Sequence, residues 1–130
     1  MAPRKSKKKA AVPVDPDARR SQWLKGLLEI CILGVLSGGE AYGYELLQRL
    51  DEAGLGSIKG GTLYPRLAAL EASGLVEVEW RAGDGGPGRK YYHLTPLGQS
   101  TRIEAAAEFH QFSTVVHGLI AGDTQRKTSA

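Results

Sequence analysis

Residues 60–95 read GGTLYPRLAALEASGLVEVEWRAGDGGPGRKYYHLT, and this stretch decides the fold. Its first part predicts a helix that Gly74 ends, because three leucines recur at helical spacing: Leu63, Leu67 and Leu70. Alternating residues at 75–80 predict a strand, and residues 90–94 predict a return strand beyond a glycine-rich tip at 83–88. A helix followed by such a hairpin indicates a winged helix-turn-helix fold, mainly α with a small β component.

Two more helices are predicted upstream of this stretch. Residues 23–36 are apolar on more than one helical face, which is typical of a helix that is buried on two sides. A chain of 130 residues has room for one small core, so a second subunit is the simplest cover for the second side. A turn at 37–40 separates this helix from a second helix at 41–52, which Gly54 and Gly56 end.

A long C-terminal helix is predicted over residues 95–121. Thr95 is placed to cap its first turn, and Pro96 suits its first position. Apolar residues follow at steps of mostly three and four, further than the wing can cover: Leu97, Ile103, Ala106, Phe109, Phe112, Val116, Leu119 and Ile120. This stripe predicts a dimerisation helix. With the first helix it gives seven candidate dimer contacts: Leu24, Leu28, Ile32, Phe109, Phe112, Val116 and Leu119.

The ends of the chain differ from its middle in composition and charge. A winged domain is predicted at 21–94, with a disordered basic arm at 1–20 and a frayed tail at 122–130. Seven of the 17 basic residues lie in the arm against two acidic residues, so the rest of the chain holds ten basic and twelve acidic residues. The arm has two alternative roles: contact with the phosphate backbone or minor groove of DNA, and solubilisation of the chain.

Several functions are not expected from this sequence. No serine or cysteine has a plausible base and orienting acid beside it, so an enzyme is not expected. The glycine-rich tip lacks the ending of a nucleotide-binding loop, and His110 and His117 lack the spacing of a zinc helix, so neither cofactor nor metal is expected. Cys31 is interpreted as a small buried hydrophobe, with a redox-sensing thiol as the alternative. The absence of a secretory signal or a membrane span predicts a cytoplasmic protein.

Candidate DNA contacts cluster around the third helix and the glycine-rich tip. The basic residues there are Lys59, Arg66, Arg81, Arg89 and Lys90. If the third helix enters the major groove, Thr62 and Arg66 are placed to reach base edges, and Arg66 can form a bidentate pair with guanine. Tyr64 has two alternatives, packing at the edge of the core and hydrogen bonding to a phosphate. Three aromatic residues are predicted to anchor the wing: Trp80, Tyr91 and Tyr92.

Three blocks of the sequence resemble the characteristic blocks of the PadR family of bacterial transcriptional regulators. They are AYGYELLQRL at 41–50, GTLYPRLAALEASGLVEVEW at 61–80 and GPGRKYYHLTPLG at 86–98. The resemblance extends over about residues 23–112, and the single C-terminal helix makes the chain similar to the short subfamily. It implies a homodimer in which this helix packs on the partner's first and last helices, with two winged heads on an inverted-repeat DNA operator.

The resemblance also implies roles for individual residues. DNA-facing family positions are occupied by Tyr42, Thr62, Tyr64, Arg66, Arg89 and Lys90, and Lys59 joins them because it precedes the third helix. Structural family positions are occupied by Gly43, Pro65, Leu67, Leu70 and Trp80. Some members carry a tryptophan of the last helix in a drug-binding pore. This chain has Phe109 and Phe112 there and Trp23 on the first helix, which together form a possible effector pocket.

These features predict a dimeric, sequence-specific transcriptional repressor that is relieved by a small hydrophobic or aromatic effector. Two alternatives stay open. One is a protein-interaction adaptor that keeps the winged fold without operator binding, and the other is a nonspecific DNA binder that acts through the basic arm. Sequence-selective, salt-dependent DNA binding separates the three.

Overall fold

The computed structural model describes residues 15–83 and 85–122. The elements within these ranges are α1 Pro16–Leu36, β1 Ala41–Tyr42, α2 Gly43–Leu50, a π-helical turn Asp51–Leu55, α3 Gly60–Ala72, β2 Val76–Arg81, β3 Arg89–Leu94 and α4 Pro96–Ile120. The predicted mainly α, winged helix-turn-helix fold is confirmed. In the described ranges, no helix combines the length and the apolar character that crossing a membrane requires.

α1 begins earlier than predicted, at Pro16. The carboxylate of Asp15 accepts a hydrogen bond from the Asp17 N–H at 3.1 Å, and Pro16 occupies a position that needs no N–H partner. The predicted boundary of the arm is therefore wrong, since residues 16–20 are helical. The remainder of the predicted arm and most of the predicted tail lie outside the described residues.

α1, α2 and α3 pack around one core, to which the sheet adds Ala41, Val76 and Tyr92. The predicted inward face of α3 is confirmed, because its three leucines are fully buried: Leu63, Leu67 and Leu70. Leu28 and Ile32 are also core residues, with exposed fractions of 1% and 0%. Their prediction as dimer contacts is wrong, because neither has surface left for a partner. The sequence shows that the first helix has two apolar faces, but not which of them packs inside its own chain.

Two other residues of α1 lie at the edge of this core. Leu24 packs against the core but is only partly buried, so part of its side chain remains available to a partner. Cys31 is partly buried too, and this burial raises the pKa of its thiol. A raised pKa favours the neutral thiol, which agrees with a small hydrophobe and disfavours a reactive thiolate.

The wing belongs to a three-stranded antiparallel sheet with the order β1, β3, β2. β2 and β3 pair over their whole length, so that Arg81 lies opposite Arg89 and Trp80 lies opposite Lys90. The sequence pattern predicts Ala41 as the start of the second helix, which is wrong, because Ala41 belongs to β1. A strand of two residues is too short to show the alternation from which strands are predicted.

The turn after α3 is tied to the start of α4. Gly74 has a φ of 77° and ends α3 as predicted, since its N–H and that of the next residue donate to carbonyl groups of the last turn, each at 3.0 Å. Thr95 caps α4 as predicted, and its hydroxyl accepts from the Gly98 N–H at 3.0 Å. The same hydroxyl donates to the Gly74 carbonyl at 2.6 Å. One side chain therefore joins the ends of two helices.

α4 leaves its apolar stripe exposed in the single chain. The residues of the stripe that are a third or more exposed are Leu97, Ile103, Phe109, Phe112, Val116, Leu119 and Ile120. Phe112 in the middle of the helix is 64% exposed. Contiguous apolar surface of this kind is typical of a contact with another protein.

Candidate DNA-binding interface

The N-terminus of α3 is open at the surface. Lys59 immediately precedes the helix and Thr62 lies in its first turn, and both are exposed. The face away from the core carries small residues, Gly61, Pro65 and Ala68. Within the described residues no side chain caps this end, and its first turn contains no acidic residue. Free N–H groups and the positive end of the helix dipole make such an end suited to a phosphate.

Tyr64 packs against the start of α2. A Cβ atom added at Gly43 would lie 2.7 Å from Cε1 of the Tyr64 ring, and one added at Gly60 would lie 3.3 Å from Cε2. The ring therefore covers two glycines where the helices approach, while 48% of the residue stays exposed. This geometry favours the packing alternative for the ring, and a phosphate contact by the hydroxyl remains a proposal.

Arg66 is directed towards α1 instead of the small-residue face of α3. Its guanidinium forms an ion pair with Glu29 at 3.1 Å, and the two side chains are 42% and 39% exposed. The geometry therefore gives no support to Arg66 as the reader of a guanine. The helical pattern places Arg66 on a flank of α3, but the partner comes from another helix and has no signal in the local sequence.

The outer face of the sheet carries a stacked set of aromatic and guanidinium groups. Tyr42 and Tyr91 are register partners and meet edge to face, with ring centroids 5.5 Å apart. The Arg89 guanidinium lies over the Tyr42 ring at 4.3 Å. The Arg81 guanidinium lies over the Tyr91 ring at 4.2 Å. Two of the predicted DNA-facing residues, Tyr42 and Arg89, are thus brought into direct contact.

Arg81 is bound by two carboxylates. Its guanidinium donates to Glu40 at 2.7 Å and to Glu79 at 3.0 Å. The hydrogen bond from Arg81 is the main cause that lowers the pKa of the Glu40 carboxyl, and the bonds to Glu40 and then Glu79 raise the pKa of the guanidinium. Arg81 therefore differs from the other basic residues of the cluster, because its charge is already compensated.

Trp80 does not anchor the wing, contrary to prediction. It is 65% exposed, at the end of the hairpin beyond the core, whereas Tyr92 on the next strand is buried as predicted. The Lys90 ammonium lies 5.7 Å from the Trp80 ring, and a Cβ atom added at Gly88 would lie 3.3 Å from it. The alternation of the strand places Trp80 on the core side but does not show that the core ends before it.

Three basic groups near α3 and the hairpin have no carboxylate partner within the described residues: Lys59, Arg89 and Lys90. All three are exposed. They differ in this from Arg66 and Arg81. Of the five basic residues in the sequence cluster, these three are thus the ones without an acidic partner in the part of the chain that the structure describes.

The residues of the predicted effector pocket are exposed side chains on two helices of the single chain. Trp23 is 58% exposed and borders a shallow depression with Ala18, Arg19 and Gln22, all from α1. Phe109 and Phe112 lie on α4, where they are also exposed.

The described part of the chain contains no group of three metal-ligating side chains. His93, one of the three histidines of the sequence, instead contacts Glu77 across the β2–β3 pair, with Nε2 and Oε1 3.1 Å apart. This contact lies on the outer face of the sheet and is exposed.

A helical head has an open helix N-terminus beside a hairpin, in which Arg89 and Lys90 have no carboxylate partner among the described residues. These features define the class of winged-helix DNA-binding proteins. Comparison with known proteins identifies the family. The model of the PadR-like family of transcriptional regulators matches residues 32–104, and the chain belongs to this family. It is accordingly a winged-helix, DNA-binding transcriptional regulator.

Individual relatives agree with this assignment. The transcriptional regulator Rv3488 of Mycobacterium tuberculosis is 32% identical over 97 residues, which is 75% of this chain and 89% of that protein. The crystal structure of a PadR-like transcriptional regulator from Bacillus cereus is 39% identical with a TM-score of 0.67, covering 76% of this chain and 96% of that one. A PadR family regulator from Eggerthella lenta is 34% identical with a TM-score of 0.70, covering 79% and 90%.

Proposed function

We propose that this regulator is a dimeric repressor that binds an inverted-repeat operator and is released by a small hydrophobic or aromatic effector. The DNA-binding surface is supported by one observation: around the open N-terminus of α3 and the hairpin lie three exposed cations, Lys59, Arg89 and Lys90, that have no carboxylate partner in the described ranges. The proposed DNA contacts are Tyr42, Lys59, Thr62, Tyr64, Arg89 and Lys90. Arg66 is left out of base reading because it pairs with Glu29.

The exposed stripe of α4 suggests a dimer, and a dimer would place two winged heads on one operator. A twofold dimer presents the same surface from both subunits, and two winged heads related by that axis match a DNA site that is itself an inverted repeat. Leu24, Phe109, Phe112, Val116 and Leu119 are the proposed dimer contacts. Trp23 with Phe109 and Phe112 is the proposed effector pocket, because these aromatic side chains remain exposed until a second chain covers them.

The small-residue face of α3 suggests how the operator is read. Gly61, Pro65 and Ala68 carry no hydrogen-bonding side chain, whereas the methyl group of thymine is recognised by apolar contact. Replacing the thymines of the operator half-sites by uracil removes this methyl group and keeps every hydrogen-bonding atom. We expect weaker binding by about 1 kcal/mol for each contacted thymine, measured by titration of matched duplexes. Unchanged affinity would assign base reading to Thr62 and Lys59.

The test of the proposed function is binding of the full chain to labelled DNA from upstream of its own gene, against a scrambled duplex, at two salt concentrations. A repressor prefers the native duplex at the higher salt, where phosphate attraction is weakened. Equal binding that disappears with salt supports the nonspecific binder, and no binding supports the adaptor. Deleting residues 1–14 separates the repressor from the nonspecific binder. A nonspecific binder that acts through the arm loses all DNA binding, whereas a repressor binds DNA more weakly and with a shallower salt dependence.

Lys90→Gln and Arg89→Gln are expected to reduce the slope of log affinity against log salt by about one each, because each removes one phosphate contact. The affinity should fall for operator and scrambled DNA alike. Arg102→Gln is the matched control, because this guanidinium contacts Gln99 on α4 and is not among the proposed DNA contacts. A slope that stays unchanged in the Lys90 and Arg89 variants would remove the hairpin from the DNA interface.

A further inference from the structure

We propose that Arg81 is a positioning residue that clamps the wing to the turn before α2 and thereby fixes Arg89 for phosphate contact, while making no phosphate contact itself. The inference rests on the proposed DNA-binding surface. The clamp consists of Arg81, Glu40 and Glu79 with Tyr91, and the arginine is the one residue that contacts the other three.

The clamp joins parts of the chain that are distant in sequence. Arg81 is the last residue of β2, whereas Glu40 lies in the turn between α1 and β1. Both guanidinium nitrogens Nη1 and Nη2 reach the Glu40 carboxylate, which gives the two-pronged geometry that holds a pair in one orientation. The free end of a hairpin is thus attached to the body of the domain.

The turn that receives Arg81 is itself held from α2. The Arg49 guanidinium donates to the Gly39 carbonyl at 3.1 Å and to the Glu40 carbonyl at 3.4 Å. Gly39 has a φ of 135°, a backbone conformation that residues with a side chain rarely adopt, so glycine suits this position of the turn. A continuous series of contacts therefore links α2 to β2. Arg49 of α2 holds the turn, and the turn holds Arg81 of β2.

The register of the hairpin places two arginines opposite each other, and the two carboxylates offset the charge of one of them. Arg81 lies directly opposite Arg89, and like charges at opposed positions destabilise a β-pair. Glu40 and Glu79 compensate Arg81, which leaves Arg89 as the cation of the pair. Arg89 is then oriented by the Tyr42 ring, whose neighbour Tyr91 is covered by Arg81.

Because of the same arrangement, we expect Arg81 to contribute little to the electrostatic attraction of DNA. A guanidinium with two carboxylates at 3 Å or less has no excess positive charge to release counterions from a phosphate. Arg89 and Arg81 therefore differ in a measurable way. Loss of Arg89 changes the salt dependence of DNA binding, whereas loss of Arg81 changes affinity through the position of the wing.

The experiment compares Arg81→Gln, Glu40→Gln and the double variant with Arg89→Gln, over a salt series with operator DNA. We expect each single clamp variant to lose about tenfold in affinity with an unchanged salt slope, and the double variant to lose no more than Arg81→Gln. A slope reduced by about one in Arg81→Gln would make it a phosphate contact and overturn the proposal. Tighter binding by Glu40→Gln would also overturn it, because Glu40 would then act only by repelling DNA.

A second measurement is independent of DNA and remains informative if operator binding is not found. Amide hydrogen exchange in β3 of the free protein should become faster in both clamp variants, because the hairpin end is released. Arg66→Gln is the matched control, since it breaks an arginine–glutamate pair of similar exposure and should leave exchange in β3 unchanged. Unchanged exchange in the clamp variants, with the global unfolding temperature intact, would show that Arg81 does not position the wing.

Discussion

Phe112→Asp is expected to convert the proposed dimer into a folded monomer and to abolish high-affinity operator binding. The side chain is 64% exposed in the single chain, so the substitution leaves the core of the monomer intact. In the proposed dimer the same position is covered. Burial of a neutral polar group without a hydrogen-bond partner costs about 2–7 kcal/mol, and burial of an unpaired carboxylate costs more. Each head alone then binds one half-site and loses the gain from simultaneous binding, about 10²-fold or more.

Sedimentation velocity measures the mass of this variant, and operator titration measures its affinity. Thr114→Asp is the control, because residue 114 lies on α4 roughly opposite Phe112 and is exposed as well. It should sediment like the unmodified protein. If Phe112→Asp still sediments as a dimer, the interface lies elsewhere, and the exposed side of α1 around Trp23 becomes the next candidate.

The parts of the fold that depend on local signals were predictable from the sequence. The burial of the α3 leucines follows from their spacing, the end of that helix from Gly74, and the start of α4 from Thr95 and Pro96. The same kind of signal precedes α1, where Asp15 and Pro16 form a cap. The composition of the arm predicts disorder over the same residues, and the predicted boundary is therefore too late.

The parts that depend on distant residues were not predictable in this way. Arg66 and Arg81 belong to one basic cluster in the sequence, but each meets a glutamate that lies 37 or 41 positions away. Leu28 and Ile32 have the same apolar character as the proposed interface residues of α4, and only their packing in the core of the single chain distinguishes them. The sequence therefore predicts the candidate DNA surface as a region, whereas the three-dimensional contacts show which of its described cations are paired with carboxylates.

Gly98→Ala is expected to lower the free energy of unfolding by about 3 kcal/mol, at the upper end of what overpacking costs. Gly98 is buried where α4 crosses the end of the wing, and an added Cβ atom would lie 3.0 Å from the Leu75 carbonyl carbon and closer to its oxygen. This carbonyl cannot move freely, because it accepts the Thr95 N–H at 3.2 Å. Alanine favours a helix over glycine by about 1 kcal/mol, so a net loss of stability isolates the steric contact.

Urea unfolding at one fixed protein concentration measures the effect, since the stability of a dimer depends on concentration. Gly26→Ala in α1 is the control, because an added Cβ atom there has no neighbour within 4 Å, and it should gain about 0.5–1 kcal/mol. A stability of Gly98→Ala equal to that of the control would mean that the start of α4 shifts at little cost. The angle between the head and α4 would then be adjustable. A large loss instead makes the glycine a rigid joint between the head and α4.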